Sequence, residues 1–288
     1  MSQGQSDFYE DNIVYREFKP FFDLGKTIFD FGNQSQDDVK PWNKDESLES
    51  HLRDVVSRLY CSNLKTFLSV LILCNKGHGE DAMSLARTIF DNYLTLRYIQ
   101  QNPSDSIYKF MNYPFLEKKF MLDKAKRPDG KLRPDVKVLF LKKEMEILHQ
   151  YHQVKVFYVK QGQDEEKCLK KFKSGKWAGV NRRQMAEDTC LAFDYDYVFH
   201  FHSHFTHPHP MGLSGFCEET ESEVRYRVKL SAKEVFPALP VGIRYFLLTL
   251  QEWSKEFKMG KEEAKNSFLN QLGKLEHDYL REVGFYNE

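Results

Sequence analysis

The segment EDAMSLARTIFDNYLTLRYI, residues 80–99, decides the fold class of this chain. Its apolar positions recur every three or four residues, which is the spacing of a helix. They are Leu85, Ala86, Ile89, Phe90, Tyr93 and Leu96. Glu80 and Asp81 open the segment, where the helix dipole favours negative charge. Since few positions are left for solvent, we predict a largely buried helix that ends near Gln101, just before Pro103.

The same periodicity extends over most of the chain, and strand patterns are rare. We predict helices at about 20–31, 47–74, 80–101, 104–126 with an interruption at Pro114, 135–159, 181–190, 241–258 and 261–283, with short helices between them. Asn181 is a good N-cap for the helix that follows it. Pro237 and Pro240 are expected to disrupt the helix that precedes Val241. The prediction is therefore an all-α fold, an irregular bundle of roughly nine helices. The pattern near residues 218–230 leaves room for a small irregular or β element. We expect an N-terminal extension (1–44), a helical core (45–212) and a C-terminal helical element (213–288) that packs on the core.

Composition restricts the function classes only broadly. The chain carries 42 lysine and arginine residues and 42 carboxylates, so only a local asymmetry of charge would attract nucleic acid or acidic lipid. The start lacks the basic and apolar regions of a secretory signal, and the longest apolar run is too short to cross a bilayer. Five scattered cysteines without C-x-x-C spacing are typical of reduced core thiols. We therefore expect a cytoplasmic protein that does not enter membranes.

Residues 197–210 read YVFHFHSHFTHPHP and contain five histidines. Read as a helix, this stretch places His200, His204 and His207 on one face and leaves His202 and His209 apart. Three imidazoles on a helical face are a candidate zinc site, although no H-E-x-x-H motif is present. The competing interpretation is a helix end that exposes some histidines and buries others. We favour the second interpretation and predict neither a metal site nor a cofactor.

Arg87 and Asp91 stand four residues apart on the predicted buried helix, and Tyr98 follows Asp91 by one heptad. An arginine that precedes its acid is the weaker order for a surface pair. In so apolar a helix, Arg87 needs more acceptors than Asp91 supplies. The pair therefore indicates either a structural network between helices or a functional site.

Three blocks of the sequence resemble a widespread bacterial domain-of-unknown-function family. The blocks are AMSLARTIFDNYLTLRYI (82–99), KWAGVNRRQMAE (176–187) and YDYVFHFHSHFTHP (195–208). That family shows an arginine followed four residues later by an acid, a tryptophan loop, and a terminal Ser-x-x-x-His-Pro. The likeness covers residues 50–212. The matching positions are Arg87, Asp91, Trp177, Ser203 and His207, with Asp91 standing where the family leads us to expect glutamate. The resemblance implies a helical fold and a shared polar constellation, but no activity.

Two hypotheses follow for this constellation, and the sequence leaves open whether the chain is an enzyme. The first is a metal-independent ribonuclease, similar to the toxin and phage-defence bundles of the higher-eukaryote and prokaryote nucleotide-binding superfamily, which place Arg and His together, often across a homodimer. His207 would move the proton, Arg87 would stabilise the phosphorane, and Asp91 would orient Arg87. Basic residues between Lys118 and Arg183 would steer RNA, but that superfamily's compact Arg-x4-6-His motif is absent.

The second hypothesis is a non-catalytic ligand-binding or regulatory module. In it Arg87, Asp91 and His207, together with Tyr98, Trp177 and Ser203, line a site for a small anionic ligand. A structural variant of this hypothesis has the same polar residues pin adjacent helices.

Overall fold

The computed structural model describes residues 11–42, 45–200, 202, 204, 213, 217–219, 223–226, 232 and 234–284. Within these residues the chain forms twelve α-helices and one hairpin of two short antiparallel strands. The helices are α1 Ile13–Glu17, α2 Lys19–Ser35, α3 Leu48–Asn75, α4 Gly79–Gln101, α5 Pro103–Lys126, α6 Pro134–Lys142, α7 Glu144–Val154, α8 Glu165–Gly175, α9 Arg182–Asp188, α10 Ala192–Tyr195, α11 Val235–Glu256 and α12 Glu262–Glu282. The strands are β1 Cys217–Glu219 and β2 Val224–Tyr226.

The predicted all-α multi-helix bundle with a small β element is therefore confirmed. The excess over nine helices comes from short pieces, α1 and α10, and from a break in the helix predicted at 135–159. In the described part of the chain no helix is both long enough and apolar enough to cross a membrane.

The folded chain divides into two compact units. The first unit comprises Met1–Asp45, Val56–Leu96 and Leu191–Glu288, and the second comprises Glu46–Val55 and Arg97–Cys190. This division follows the packing of the folded chain, and the predicted extension, core and C-terminal element stay a prediction.

The first unit is built around α2, α11 and α12, which pack on one another, together with most of α3 and α4. Tyr60 of α3 stacks on Trp253 of α11 with ring centroids 4.0 Å apart. The buried Asn63 side chain donates to the Thr249 hydroxyl at 2.9 Å and to the Ile89 carbonyl oxygen at 3.2 Å. Because a buried amide without partners would cost about 1–3 kcal/mol, these hydrogen bonds fix how α3, α4 and α11 meet.

The second unit is built around α5, against which α6 and α7 pack. Its core is a cluster of apolar side chains from α5, α7, the following turn and α8. They are Leu116, Tyr151, Val154, Tyr158, Val159, Leu169 and Phe172. The hydroxyl group of the buried Tyr158 donates a hydrogen bond to the backbone carbonyl oxygen of Lys109 at 2.7 Å. This unit therefore has a core of its own.

Three predicted helix boundaries were wrong, and two of them concern proline. Pro114 lies inside α5 and Pro240 inside α11, whereas we predicted that prolines interrupt both helices. Each proline removes one backbone hydrogen bond. Around Pro240 the flanking residues are buried, and their packing keeps α11 continuous. Pro114 is exposed and most of its neighbours are exposed or half-buried, so burial does not account for the continuity of α5 there. The predicted helix at 135–159 is divided instead at Lys143, where α6, which buries none of its residues, gives way to α7, which buries three.

Candidate functional site

Arg87 lies on α4 with its side chain largely covered, 14% exposed. Its guanidinium carbon is 3.9 Å from the centroid of the Phe199 ring. A cation over an aromatic face at this distance is stabilised by about 0.5–2 kcal/mol, more when it is desolvated. Phe199 belongs to the segment Asp196–His200, which forms one π-helical turn directly after α10. The structure thus brings the predicted arginine to the beginning of the histidine-rich stretch.

Asp91 stands one helical turn after Arg87 on α4. Its Oδ2 atom lies 4.0 Å from Arg87 Nε, which is the outer limit of an ion pair and longer than a hydrogen bond. The Asp91 side chain is 27% exposed. Asp91 Oδ2 therefore offsets the charge of Arg87 electrostatically, at a distance too long for a hydrogen bond to Arg87 Nε.

His202 is completely buried beside this pair, in the first unit. Its Nδ1 atom lies 3.0 Å from the carbonyl oxygen of Met83, one turn before Arg87 on α4. Since a carbonyl oxygen only accepts, Nδ1 carries the proton. Burial lowers the pKa of His202 to about 4, and the charge of Arg87 contributes to the lowering. The imidazole is therefore neutral near pH 7 and acts as a structural donor to α4.

The segment that carries Phe199 and His202 is anchored from α11. The Tyr245 phenol donates to Asp194 Oδ1 at 2.6 Å, and burial raises the pKa of Tyr245. The Tyr245 ring also packs edge-on against Phe90 of α4, with centroids 4.8 Å apart. Tyr195 stacks on Phe199 at 4.5 Å, so the ring that covers Arg87 is itself held in place by a second ring.

Tyr98 and Trp177 meet in the second unit. Trp177 is buried, and its ring packs edge-on against Tyr98 at 5.8 Å and against Phe110 at 5.2 Å. Lys176 and Gly179, both with positive φ, flank this turn and set the direction of the chain on either side of the indole. Burial raises the pKa of Tyr98. The contacts seen here are those of an aromatic core cluster.

The six sequence-predicted site residues thus fall into three groups. Arg87 and Asp91 come together in the first unit, and Tyr98 and Trp177 in the second. Ser203 and His207 lie outside the described residues. Their roles stay predictions.

The hypothesis of a zinc site on the histidine-rich stretch depends partly on residues that the structure does not describe. Where the structure describes side chains, no group of three His, Cys, Asp or Glu residues is close enough to hold a metal ion. His204 is helical and partly exposed. The side chain of His200, and the whole of His207 and His209, lie outside the described part.

Sequence reasoning did not name Phe199 or His202 as site residues, although both contact α4. Met83 and His202 are 119 residues apart in sequence, and no local pattern signals that contact.

Charge is distributed unequally between the two units. The second unit contains 22 lysine and arginine residues against 15 carboxylates, whereas the first contains 20 against 27. The neutral chain therefore consists of one unit with a net charge of +7 and one of −7. An excess of positive charge on one part of a protein is typical of polyanion binding.

A groove of about 410 Å³ opens on the second unit at the C-terminal end of α5. Four cationic side chains line it, from Lys124, Arg127, Lys131 and Lys173. All four are exposed to solvent. It is a candidate anion site, and its cations lie in the basic stretch between Lys118 and Arg183 that the sequence analysis connected with RNA.

No curated protein and no solved structure matches this chain. Residues 53–224 match the model of a family described as a family of unknown function, DUF5677. All three blocks on which the resemblance rests lie within this range, so the resemblance is confirmed. The chain belongs to the DUF5677 family, whose function is unknown.

Proposed function

We propose that this protein is a non-catalytic RNA-binding module that holds RNA on the basic surface of its second unit. The observation that carries the proposal is the separation of charge, +7 on the second unit against −7 on the first. RNA phosphates attract such a surface and release counterions when lysine and arginine neutralise them. A small anion needs only one or two cations, whereas an excess of this size suits a polyanion.

The Arg87 constellation is structural under this proposal. Arg87 is largely covered by Phe199, and His202 is buried and neutral. Both side chains serve the contact between α4 and the segment after α10. Arg87→Ala is then expected to lower stability and to leave RNA affinity unchanged in the protein that remains folded.

Matched charge variants test the proposal. Lys142 and Lys143 are exposed on the second unit, and Lys65 and Lys274 are exposed on the first. Binding is measured by the anisotropy of a fluorescent RNA of about 20 nucleotides in excess EDTA. We expect weaker binding for Lys142→Gln/Lys143→Gln, because a protein with two fewer cations releases fewer counterions from the RNA when it binds. The same loss of charge in Lys65→Gln/Lys274→Gln should leave affinity within about twofold. Absence of binding by the unmodified protein at about 50 mM salt would refute the proposal.

The second candidate is a metal-independent ribonuclease of toxin or phage-defence type. The observation that favours it is the 3.9 Å contact between Arg87 and Phe199, because the same segment continues toward His207. His207 would move the 2′-hydroxyl or leaving-group proton, Arg87 would stabilise charge on the phosphorane, and Asp91 would orient Arg87.

Cleavage of mixed cellular RNA in excess EDTA separates the two candidates. Cleavage by the unmodified protein that is lost in a folded His207→Ala variant would support the nuclease. RNA that is bound but stays intact would reject the nuclease and leave the binding module. Arg87→Lys is the conservative comparison, because it keeps the charge and removes the planar guanidinium that lies over Phe199.

A further inference from the structure

The groove at the end of α5 carries more positive charge than the acids that line it can offset. Its lining comes from the last turns of α5, the turn that follows and α8. The lining residues are Phe120, Asp123, Lys124, Arg127, Asp129, Gly130, Lys131 and Lys173. Asp123 accepts from Lys119 at 2.6 and 2.7 Å, so its charge is already offset. Four cations therefore face a single acid, Asp129, whose charge no described partner offsets.

Three of these cations have a second explanation, and Lys131 does not. Positive charge in the last turn of a helix offsets the helix dipole, which accounts for Lys124 and the neighbouring Arg127. Lys173 stands likewise in the last turn of α8. Lys131 comes from the turn after α5, so no helix dipole explains it. Across the described residues, Lys124, Arg127 and Lys131 make no ion pair within 4.0 Å. All three line the same groove, where like charges repel one another.

Gly130 fixes the shape of the groove. A Cβ atom on Gly130 would lie 1.9 Å from the carbonyl oxygen of Lys124, so the turn touches the end of the helix directly. The Gly130 amide donates to the Arg127 carbonyl oxygen at 3.1 Å, and the Leu132 amide donates to the Gly130 carbonyl oxygen at 2.9 Å. This closed turn brings the cations before and after it to one side of α5 before any ligand arrives.

Phe120 supplies an apolar wall. Its ring is half-buried, and the Lys173 ammonium lies 5.3 Å from the ring centroid. Lys173 is a flexible side chain that moves to a phosphate at little cost and then leaves the ring face open to a base. Stacking on aromatic rings beside a basic groove is how proteins bind single-stranded nucleic acid without reading its sequence.

Resting on the proposed RNA binding, we infer that this groove is its primary contact and takes one nucleotide of single-stranded RNA. Lys124, Arg127 and Lys131 bind the phosphates, and Phe120 packs against the base. The volume of about 410 Å³ lies in the range of small-ligand sites. A strand fits such a groove, whereas a duplex, with its bases stacked inside, cannot place one against Phe120.

The test compares two double variants that lose the same charge from the same unit. Lys124→Gln/Arg127→Gln removes two groove cations, and Lys142→Gln/Lys143→Gln removes two exposed cations outside the groove lining. The probe is a fluorescent oligouridylate of about 12 nucleotides, measured by anisotropy from about 50 to 200 mM salt. We expect the groove variant to bind at least about tenfold more weakly and the other variant no more than about threefold. Two lost phosphate contacts should also reduce the slope of log K against log salt by about 1.4.

The outcomes separate this inference from the function on which it rests. Two results would overturn the groove as the primary contact and leave diffuse RNA binding in place. One is an equal loss of affinity in the two variants, and the other is an equal affinity of the unmodified protein for the oligouridylate and for an RNA duplex of about 12 base pairs. No binding by the unmodified protein would reject the proposed function, and the groove with it. Phe120→Leu keeps the apolar packing but removes the ring, and a drop of less than about twofold in its affinity would overturn the base contact.

Discussion

At the scale of single residues, the Phe199 ring explains the largely covered position of the Arg87 guanidinium better than the Asp91 carboxylate does. The Asp91 carboxylate lies at 4.0 Å, whereas the centroid of the Phe199 ring lies 3.9 Å from the guanidinium carbon. The sequence placed Arg87 on a buried helix and predicted that Asp91 would not be enough for it. It could not supply Phe199, because that contact depends on a π-helical turn far along the chain.

Phe199→Leu should therefore destabilise the protein by about 1–2 kcal/mol, because leucine keeps apolar contact but loses the ring face that attracts Arg87. Urea unfolding followed by circular dichroism measures the change. Phe193→Leu is the matched control, since Phe193 is 85% exposed in the same region and should change stability by less than about 0.5 kcal/mol. Equal effects of the two substitutions would contradict the role given to Phe199.

His202 makes stability depend on pH. Its folded-state pKa of about 4 lies below the value of about 6.5 expected in the unfolded chain, so the folded state disfavours its charged form. The contribution of neutral His202 to the free energy of unfolding is complete above about pH 6.5. As the pH falls toward 4, protonation of the unfolded chain lowers that free energy by about 3 kcal/mol in total. The unfolding free energy of the unmodified protein should therefore fall more steeply between about pH 7 and 4.5 than that of His202→Asn, which keeps a donor for Met83 and cannot titrate. Parallel pH profiles would show that His202 is already accessible to protons.

At the scale of helices, local sequence rules worked where a helix end uses its own residues. Asn181 caps α9 as predicted, its side chain accepting from the Gln184 amide at 2.8 Å. The rules failed at Pro114 and Pro240. At Pro240 the buried packing of the flanking residues outweighs one missing hydrogen bond, whereas the exposed Pro114 has no such explanation. They also gave no reason to divide the helix at Lys143, a residue that is neither glycine nor proline.

The start of α4 shows a packing constraint between two helix ends. A Cβ atom on Gly79 would lie 2.4 Å from the carbonyl carbon of Glu234 and 2.6 Å from the Val235 nitrogen, where α11 begins. Because backbone cannot move aside cheaply, Gly79→Ala should destabilise the protein by about 1–3 kcal/mol. Gly273, inside α12, has nothing within 4 Å of such a Cβ, so Gly273→Ala should instead stabilise by about 0.5–1 kcal/mol. Thermal unfolding of both variants checks the opposite signs, and a shift of the same sign in both would contradict the close approach.

At the scale of the whole molecule, the balanced charge of the chain conceals its strongest asymmetry. The sequence carries 42 charges of each sign, from which we inferred that only a local asymmetry would matter. The second unit is made of two separate stretches, 46–55 and 97–190, and only the folded chain defines it. The sequence did show the basic residues between Lys118 and Arg183, but it did not define the boundary of the unit or its excess of seven positive charges.

A field of this kind should act on the rate at which RNA arrives more than on how long it stays. Charges outside the contact steer association, whereas charges in the contact hold the complex together. In stopped-flow measurements with the labelled oligouridylate, Lys142→Gln/Lys143→Gln should mainly lower the association rate constant. Lys124→Gln/Arg127→Gln should mainly raise the dissociation rate constant. Raising salt from about 50 to 200 mM should lower the association rate constant of the unmodified protein several-fold, because exposed charges are screened beyond about 10 Å at 0.1 M. If both variants changed only the association rate constant, the groove cations would act like any other positive charge on the unit and would not hold the bound RNA.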